Sequence, residues 1–478
     1  MKKTLLTIAI SIILSNFYSN KALAKDPTID GYWQGELEVM GSKLKININI
    51  DTDNPKNKYT IQIPEQTKKE LDLSNFSKND KNIKFELAAP MGSAYFIGEI
   101  KNEEISGKFL QNGFEGTFKI NRSKKEVDSP IKKEKSAIYN EEDIYFKNND
   151  ITLAGTLSYP KNGSNFPAII LITGSGPQNR DEEIFGFKPF QIIADYFTQK
   201  GFAVLRYDDR GIGESTGSMM ESDSQDFAQD VEKAIDFLKN RKEINPKKIG
   251  LFGHSEGGII VNMVASKNKD VAFGIMLAGT AINGAEIIKD QSYFIGKAEG
   301  EKEEELKNNQ ELLNKIFKVI QNKNATNQDW ANLKNNLKQE IKKQYDKMKP
   351  ELKNQIKDFD KYSETTAEGM LSSYKSKWFN FFANHEPSDD IKKVNIPVLA
   401  IFGEKDLQVS AKLNIPKMKE IFKETKQTNY EIITINSANH LFQKANTGAV
   451  SEYEKLPKEF TPDLLDKVYS WIKDKKIL

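Results

Sequence analysis

Six short runs of apolar and β-branched residues constrain the fold of this chain more than any other feature. They fall at residues 168–173, 203–207, 248–252, 272–277, 398–402 and 432–435. None alternates enough to leave one face wet, so each reads as a strand buried on both faces. Helical patterns lie between them, for example at 192–198 and 227–238. Strand, loop and helix in repetition give a mostly parallel sheet with helices on both faces, the α/β class. One interval breaks the rhythm. The roughly 120 residues after Ala278 are rich in Lys, Glu and Asn, and Leu312, Ile316, Val319 and Ile320, then Leu333, Leu337, Ile341 and Tyr345, recur at three and four. That spacing predicts a helical insertion over about 284–385. An insertion there is expected to act as a lid over a site rather than as surface decoration.

The residues before this region follow a different pattern. Leu44, Ile46, Ile48 and Ile50 interleave with Lys45, Asn47, Asn49 and Asp51, and Tyr59/Ile61/Ile63 and Ile83/Phe85/Leu87 repeat the period of two. Short strands separated by Asn-Pro and Asn-Asp turns predict a small antiparallel β domain over 26–121, a barrel or a sandwich. Trp33, Tyr95, Phe109 and Phe114 are expected to form its core rather than line a ligand cavity. Residues 122–138, charged and interrupted by Pro130, read as a linker to a catalytic domain over 139–478. At the N-terminus, Lys2 and Lys3 precede an apolar run that ends before Ala22-Leu23-Ala24. This is the pattern of an export signal at 1–24, cleaved after Ala24, and it predicts a periplasmic or secreted protein. The apolar run is too short to span a bilayer.

Gly253-His254-Ser255-Glu256-Gly257 fits G-x-S-x-G and lies between the run at 248–252 and a helical pattern at 258–265. A serine in that turn is lifted above the sheet on strained backbone. The same pattern recurs at Gly213-Glu214-Ser215-Thr216-Gly217. Ser215, however, is separated from its strand by Asp208-Asp209-Arg210-Gly211-Ile212, and polar residues continue to Gln225, so it reads as a loop serine. Asp208, Asp209 and Arg210 are read as a charge network bracing that loop rather than as substrate contacts.

A serine hydroxyl needs a base, and the base needs a carboxylate to orient and stabilise it. The chain has three histidines, His254, His385 and His440, and no cysteine. His254 adjoins Ser255 in a sharp turn, so its ring is expected to point into packing. His385 closes the insertion, before the next strand. His440 follows the run at 432–435 and is the candidate base. Asp406, just beyond 398–402, is the candidate carboxylate, with Glu404 as runner-up. The order Ser255, Asp406, His440 places all three at one edge of one sheet. An oxyanion would take the N–H of Glu256 and one from Thr173-Gly174-Ser175-Gly176-Pro177, assigned to Ser175 with Gly176 as the alternative.

From about Tyr139 onward the chain resembles exported α/β-hydrolases of the carboxylesterase, serine aminopeptidase and dienelactone hydrolase group. The residues that carry the resemblance are Ala154-Gly155-Thr156-Leu157, Thr173-Gly174-Ser175-Gly176-Pro177-Gln178, Tyr207-Asp208-Asp209-Arg210-Gly211, Gly253-His254-Ser255-Glu256-Gly257-Gly258 and Gly403-Glu404-Lys405-Asp406-Leu407. The resemblance implies the fold, Ser255 as nucleophile, His440 as base and Asp406 as its partner. Where many such hydrolases carry His-Gly at the oxyanion strand end, this chain has Thr173-Gly174. The expected activity is cleavage of carboxylic esters without metal or organic cofactor, on a small-molecule ester or short peptide. The alternatives are a serine aminopeptidase and a non-catalytic binding protein on the same frame. The formal charge of +2 gives no hint of a nucleic-acid partner; without the first 24 residues, 67 basic face 68 acidic side chains.

Overall fold

The computed structural model describes residues 29–477 apart from 40–41, 53–58, 65–66, 80, 88–93, 112–113, 125–137, 349, 354–355 and 357. The export segment expected at 1–24, and most of the expected linker, lie outside the described residues.

Eight antiparallel strands close into a barrel: β1 (Gly31–Val39), β2 (Ser42–Ile50), β3 (Tyr59–Ile63), β4 (Thr67–Asn79), β5 (Asn82–Leu87), β6 (Ala94–Lys101), β7 (Glu104–Gln111) and β8 (Phe114–Ser123). Closure comes from β1, where Trp33 stands opposite Ile48 of β2 on one side and Arg122 of β8 on the other. Closing the sheet leaves no unpaired edge. The period of two sends Ile46, Ile48, Ile61, Phe85, Phe96 and Phe118 inward, and all are fully buried. Phe85 stacks on Phe96 with ring centroids 4.8 Å apart, and Phe118 meets both edge-on. Trp33 and Phe109 are core residues, as expected, while Tyr95 is half-buried and the Phe114 side chain lies outside the described ones. Because this interior is filled by rings, Phe85→Ala should destabilise the barrel by roughly 3–5 kcal/mol, read as a lower denaturation midpoint.

The second sheet has the strand order β16-β15-β14-β13-β11-β12-β10-β9. Its members are β9 (Tyr139–Asn148), β10 (Ile151–Pro160), β11 (Phe166–Ile172), β12 (Ala203–Tyr207), β13 (Ile244–His254), β14 (Val271–Leu277), β15 (Val398–Gly403) and β16 (Tyr430–Ile435). The strands from β11 to β16 are parallel; β10 is antiparallel to both β9 and β12. The six apolar runs therefore became the six parallel strands. One differs from the expectation of burial on both faces. β16 is the edge strand, with nothing beyond it in the sheet, and only Ile435 of it is buried.

The helices are α1 (Pro189–Gln199), α2 (Ser224–Lys239), α3 (Glu256–Ala265), α4 (Gly284–Ala298), α5 (Glu303–Ile320), α6 (Asn327–Asp346), α7 (Pro350–Lys353), α8 (Phe359–Tyr374), α9 (Lys377–Asn384), α10 (Pro387–Ile391), α11 (Ala411–Thr425) and α12 (Leu464–Asp474). Between β14 and β15 the described elements are all helices, α4 to α10. Within it α6 and α8 run antiparallel, joined by Lys334 with Glu364 and Glu368 and by Lys338 with Glu364. Leu333, Leu337 and Ile341 are the buried positions of α6, the spacing read from the sequence. Among the described residues no helix is long and apolar enough to cross a membrane.

Candidate active site at the C-terminal edge of the sheet

Ser255 sits between β13 and α3 with φ 54° and ψ −116°, a conformation that L-residues other than glycine rarely hold. Two glycines make the turn possible. A Cβ at Gly253 would lie 2.1 Å from the Gly257 carbonyl oxygen, and one at Gly257 would lie 2.2 Å from that of Ile172. The start of α3 is therefore pressed against the end of β11, which brings the 173–178 loop to the serine. A Cβ at Gly174 would stand 3.2 Å from Ser255 Cβ. The Ser255 N–H is taken by the Leu277 carbonyl at 2.8 Å, fixing the turn to β14.

The loops after β15 and β16 bring Asp406 and His440 together. His440 Nδ1 lies 2.9 Å from Asp406 Oδ2, and both side chains are buried. The other oxygen, Asp406 Oδ1, accepts the N–H groups of Gln408 at 2.8 Å and Val409 at 2.9 Å. The carboxylate cannot turn without breaking these bonds. Glu404, the runner-up, is exposed and accepts the Ser437 N–H at 2.7 Å, so it braces its own loop. His385 stacks on Phe381 and lies 3.0 Å from Asp390.

His254 does not simply point into packing. The turn aims its ring sideways between two acceptors, with Nδ1 2.9 Å from Glu182 Oε1 and Nε2 2.9 Å from the His440 carbonyl oxygen. Its ring centroid is 4.7 Å from that of His440. Glu182 Oε1 also accepts the Gly174 N–H at 2.7 Å. Neither Glu182 nor this bridging role was legible in the sequence. Glu182 lies in an irregular loop, at φ 50°, and no spacing rule marks it.

The two residues expected to supply oxyanion donors lie side by side at the elbow. Among the described residues no acceptor takes the main-chain N–H of Ser175 or of Glu256. Their side chains are otherwise engaged. The buried Glu256 carboxylate is hydrogen-bonded by Ser224 Oγ at 2.5 Å, by Trp378 Nε1 at 2.9 Å and by the Ser175 side chain. Burial pushes this carboxyl above its ordinary range, and the three donors only partly offset that. Trp378 belongs to α9, so this part of the insertion reaches the elbow. The neighbouring Lys377 pairs with Asp226 and Asp223 at the start of α2.

Asp208, Asp209 and Arg210 form the bracing network read from the sequence. Arg180 pairs with Asp208 at 2.6 Å, and Arg210 with Asp230 at 2.6 Å. Asp209 does more. It accepts from Thr173 Oγ1 at 2.7 Å and the Gln178 N–H at 2.9 Å, clasping both ends of the loop that carries Ser175. Burial raises its pKa well above the usual carboxylate range. Ser215 is buried in its loop, donating to the Asp208 carbonyl at 2.7 Å and accepting the Ala154 N–H at 2.9 Å. Among the described residues no cluster of three or more His, Asp or Glu is arranged to hold a metal ion.

A parallel sheet with a strained serine turn after a central strand, and a carboxylate–imidazole pair on the loops of two strands beyond it, defines an α/β-hydrolase. The chain has the fold of this class of proteins. The family model described as "Serine aminopeptidase, S33" matches residues 187–355. Esterase EstD of Thermotoga maritima is 27% identical over 303 residues, which is 62% of this chain and 60% of the relative. Polyketide transferase grgF of a Penicillium species is 34% identical over 87 residues, 18% of this chain and 30% of the relative. The chain thus covers less than two thirds of the length of either curated relative. Among solved structures, the Pyrococcus furiosus esterase Pf2001 is 15% identical with a TM-score of 0.41, covering 70% of this chain and 91% of the other.

Ser215 shows what a purely structural match to the serine pattern looks like, in contrast to the strained turn at Ser255. Ser215→Ala would leave the Asp208 carbonyl and the Ala154 N–H unpaired inside the protein, and should cost about 1–3 kcal/mol, measured as a lower melting temperature.

Proposed function

We propose that the chain is an exported serine hydrolase that cleaves carboxylic esters through an acyl-enzyme intermediate. The observation that carries this reading is the strained backbone of Ser255, next in sequence to His254, whose ring centroid lies 4.7 Å from that of His440 in the buried Asp406–His440 pair. Strain of this kind persists only where surrounding structure enforces it. In the proposed reaction the Ser255 hydroxyl oxygen attacks the acyl carbon while His440 Nε2 takes its proton. Asp406, on Nδ1, fixes the ring and stabilises the imidazolium that forms. The oxyanion accepts the N–H groups of Glu256 and Ser175. Collapse expels the alcohol, which leaves with the proton from His440. Water, activated by the same histidine, then attacks the acyl carbon and frees the carboxylic acid and Ser255. The esterase name of the Thermotoga maritima relative favours esters. Export rests on the N-terminal sequence alone.

The description of the matching family model favours a second reading, an aminopeptidase acting on short peptides. Relative rates on aminoacyl amides and simple acyl esters separate the two. A non-catalytic binding role would leave the biological phenotype of Ser255→Ala unchanged.

A fluorophosphonate probe tests the shared mechanism without knowledge of the substrate. It should label Ser255, located by mass spectrometry, and Ser255→Ala should abolish the label and lower kcat by roughly 10⁴- to 10⁶-fold. Ser215→Ala should keep both label and turnover. No label on folded wild-type protein would sink the serine-hydrolase reading. Asp406→Asn should lower kcat by about 10⁴-fold, because an amide at this place no longer enforces the required tautomer of His440; near-wild-type turnover would reassign the carboxylate.

A further inference from the structure

Both ring nitrogens of His254 face acceptors, Glu182 Oε1 and the His440 carbonyl oxygen, each at 2.9 Å. A neutral imidazole has one N–H, so one of these contacts would then set a lone pair against an oxygen. Moving the proton to Glu182 Oε1 would let it donate to Nδ1, but would exchange a charge-assisted contact for a neutral one and weaken Oε1 as the acceptor of the Gly174 N–H. Glu182 Oε1 already accepts from Gly174, and Oε2 is buried with no hydrogen-bond partner among the described residues, so a proton there would have no acceptor. A doubly protonated ring beside an ionised Glu182 donates from both nitrogens and leaves Oε1 a full acceptor for the Gly174 N–H, the strongest set of contacts this geometry allows.

We propose that His254 is held as an imidazolium by Glu182, and that this buried pair is the positioning element that fixes His440 and the oxyanion loop for catalysis. The catalytic half of this statement rests on the serine-hydrolase reading. One end of the pair grips the Gly174 N–H in the loop after β11; the other grips the His440 carbonyl in the loop after β16.

The charged and titratable groups around the ring come from every loop of the site. Glu182 faces it directly, Asp406 acts on it from the loop after β15, and the His440 ring lies beside it. Asp209 and Glu256 belong to the same group of acids, acting on one another, with Glu182 acting on Asp209. Burial opposes charge on His254, but the Glu182 carboxylate, the His440 carbonyl and Asp406 together outweigh it and the net shift is upward from 6.5. A group whose folded pKa is raised stabilises the fold fully below its unfolded pKa, and that contribution is lost as pH rises through the raised value. The same loss would free His440 and Gly174 on the alkaline side.

Three histidines make the test direct. The full chain labelled with ¹⁵N-histidine gives three imidazole spin systems, and His385→Gln removes one for assignment. At about pH 7 the His254 ring should show protons on both nitrogens. Glu182→Gln keeps an acceptor for the Gly174 N–H but removes the charge. It should return His254 to a single N–H and lower kcat for a simple aryl ester by roughly ten- to a hundredfold, with KM changed far less. The deficit should grow as pH rises toward the raised value and shrink above it, where the wild-type ring is neutral as well. A neutral His254 tautomer in the wild type at about pH 7 would overturn the assignment of charge without any variant being needed. Unchanged kcat in folded Glu182→Gln, or a deficit independent of pH, would overturn the positioning role. Doubly protonated His254 in a protein whose Ser255 takes no fluorophosphonate would support the charge state while overturning the catalytic reading, so the two failures remain distinct.

Discussion

The structure of the site depends on the close approach of two backbones, the first turn of α3 and the end of β11. At Gly257 only 2.2 Å separates the position of a Cβ from the Ile172 carbonyl oxygen, so no larger residue fits without moving the strand. That contact decides which loop lies beside the nucleophile turn. It places Gly174 against Ser255. Without it the serine would still be strained, but its neighbours would be different. The parallel sheet then supplies the remaining geometry, because successive strands deliver their C-terminal loops to one edge. Asp406 and His440 arrive there from β15 and β16, about 150 and 185 residues beyond the serine in sequence.

Much of this was legible before the coordinates, for definable reasons. Strands buried on both faces announce themselves as continuous apolar runs, and all six parallel strands were found this way. The turn at Ser255 was distinguishable from the one at Ser215 because a strand and a helical pattern flank it directly. Asp406 was separated from Glu404 by its place in the loop, and the structure shows why the two differ. One carboxylate is buried under two main-chain donors, and the other braces an exposed turn. What the sequence did not carry was the set of side chains contributed by irregular segments. Glu182 lies in a loop without periodicity, and Trp378 lies in an insertion whose composition suggested only amphipathic helices. Neither type of contact leaves a spacing pattern, since both depend on how distant loops meet. The ring of His254 was misread for the same reason: its turn was recognised, but the acceptors on either side come from residues 182 and 440.

The second constraint is electrostatic. Glu182, Glu256 and Asp406 are buried and Asp209 half-buried at one edge of the sheet, where unpaired negative charge is expensive. The structure handles each differently. Asp406 is stabilised by main-chain donors and an imidazole. Asp209 and Glu256 have pKa values raised by burial, and they meet donors from hydroxyl, amide and indole groups. The guanidinium groups nearby are already committed, Arg180 to Asp208 and Arg210 to Asp230. Glu182 therefore has His254 as its charged partner.

This distribution has a consequence for how the loops respond to one another. Asp209 clasps the 173–178 loop at its two ends, Glu182 holds it at Gly174, and Glu256 meets its Ser175 side chain. Each of the three also reaches a different element: the loop after β12, the His254 turn, and α9 of the insertion through Trp378. The 173–178 loop is thus the common element through which movement of α9 or loss of charge at His254 would be felt. A loop with two committed ends and a glycine at its closest approach can be fixed without bulk near the serine, which leaves the space above Ser255 to the substrate.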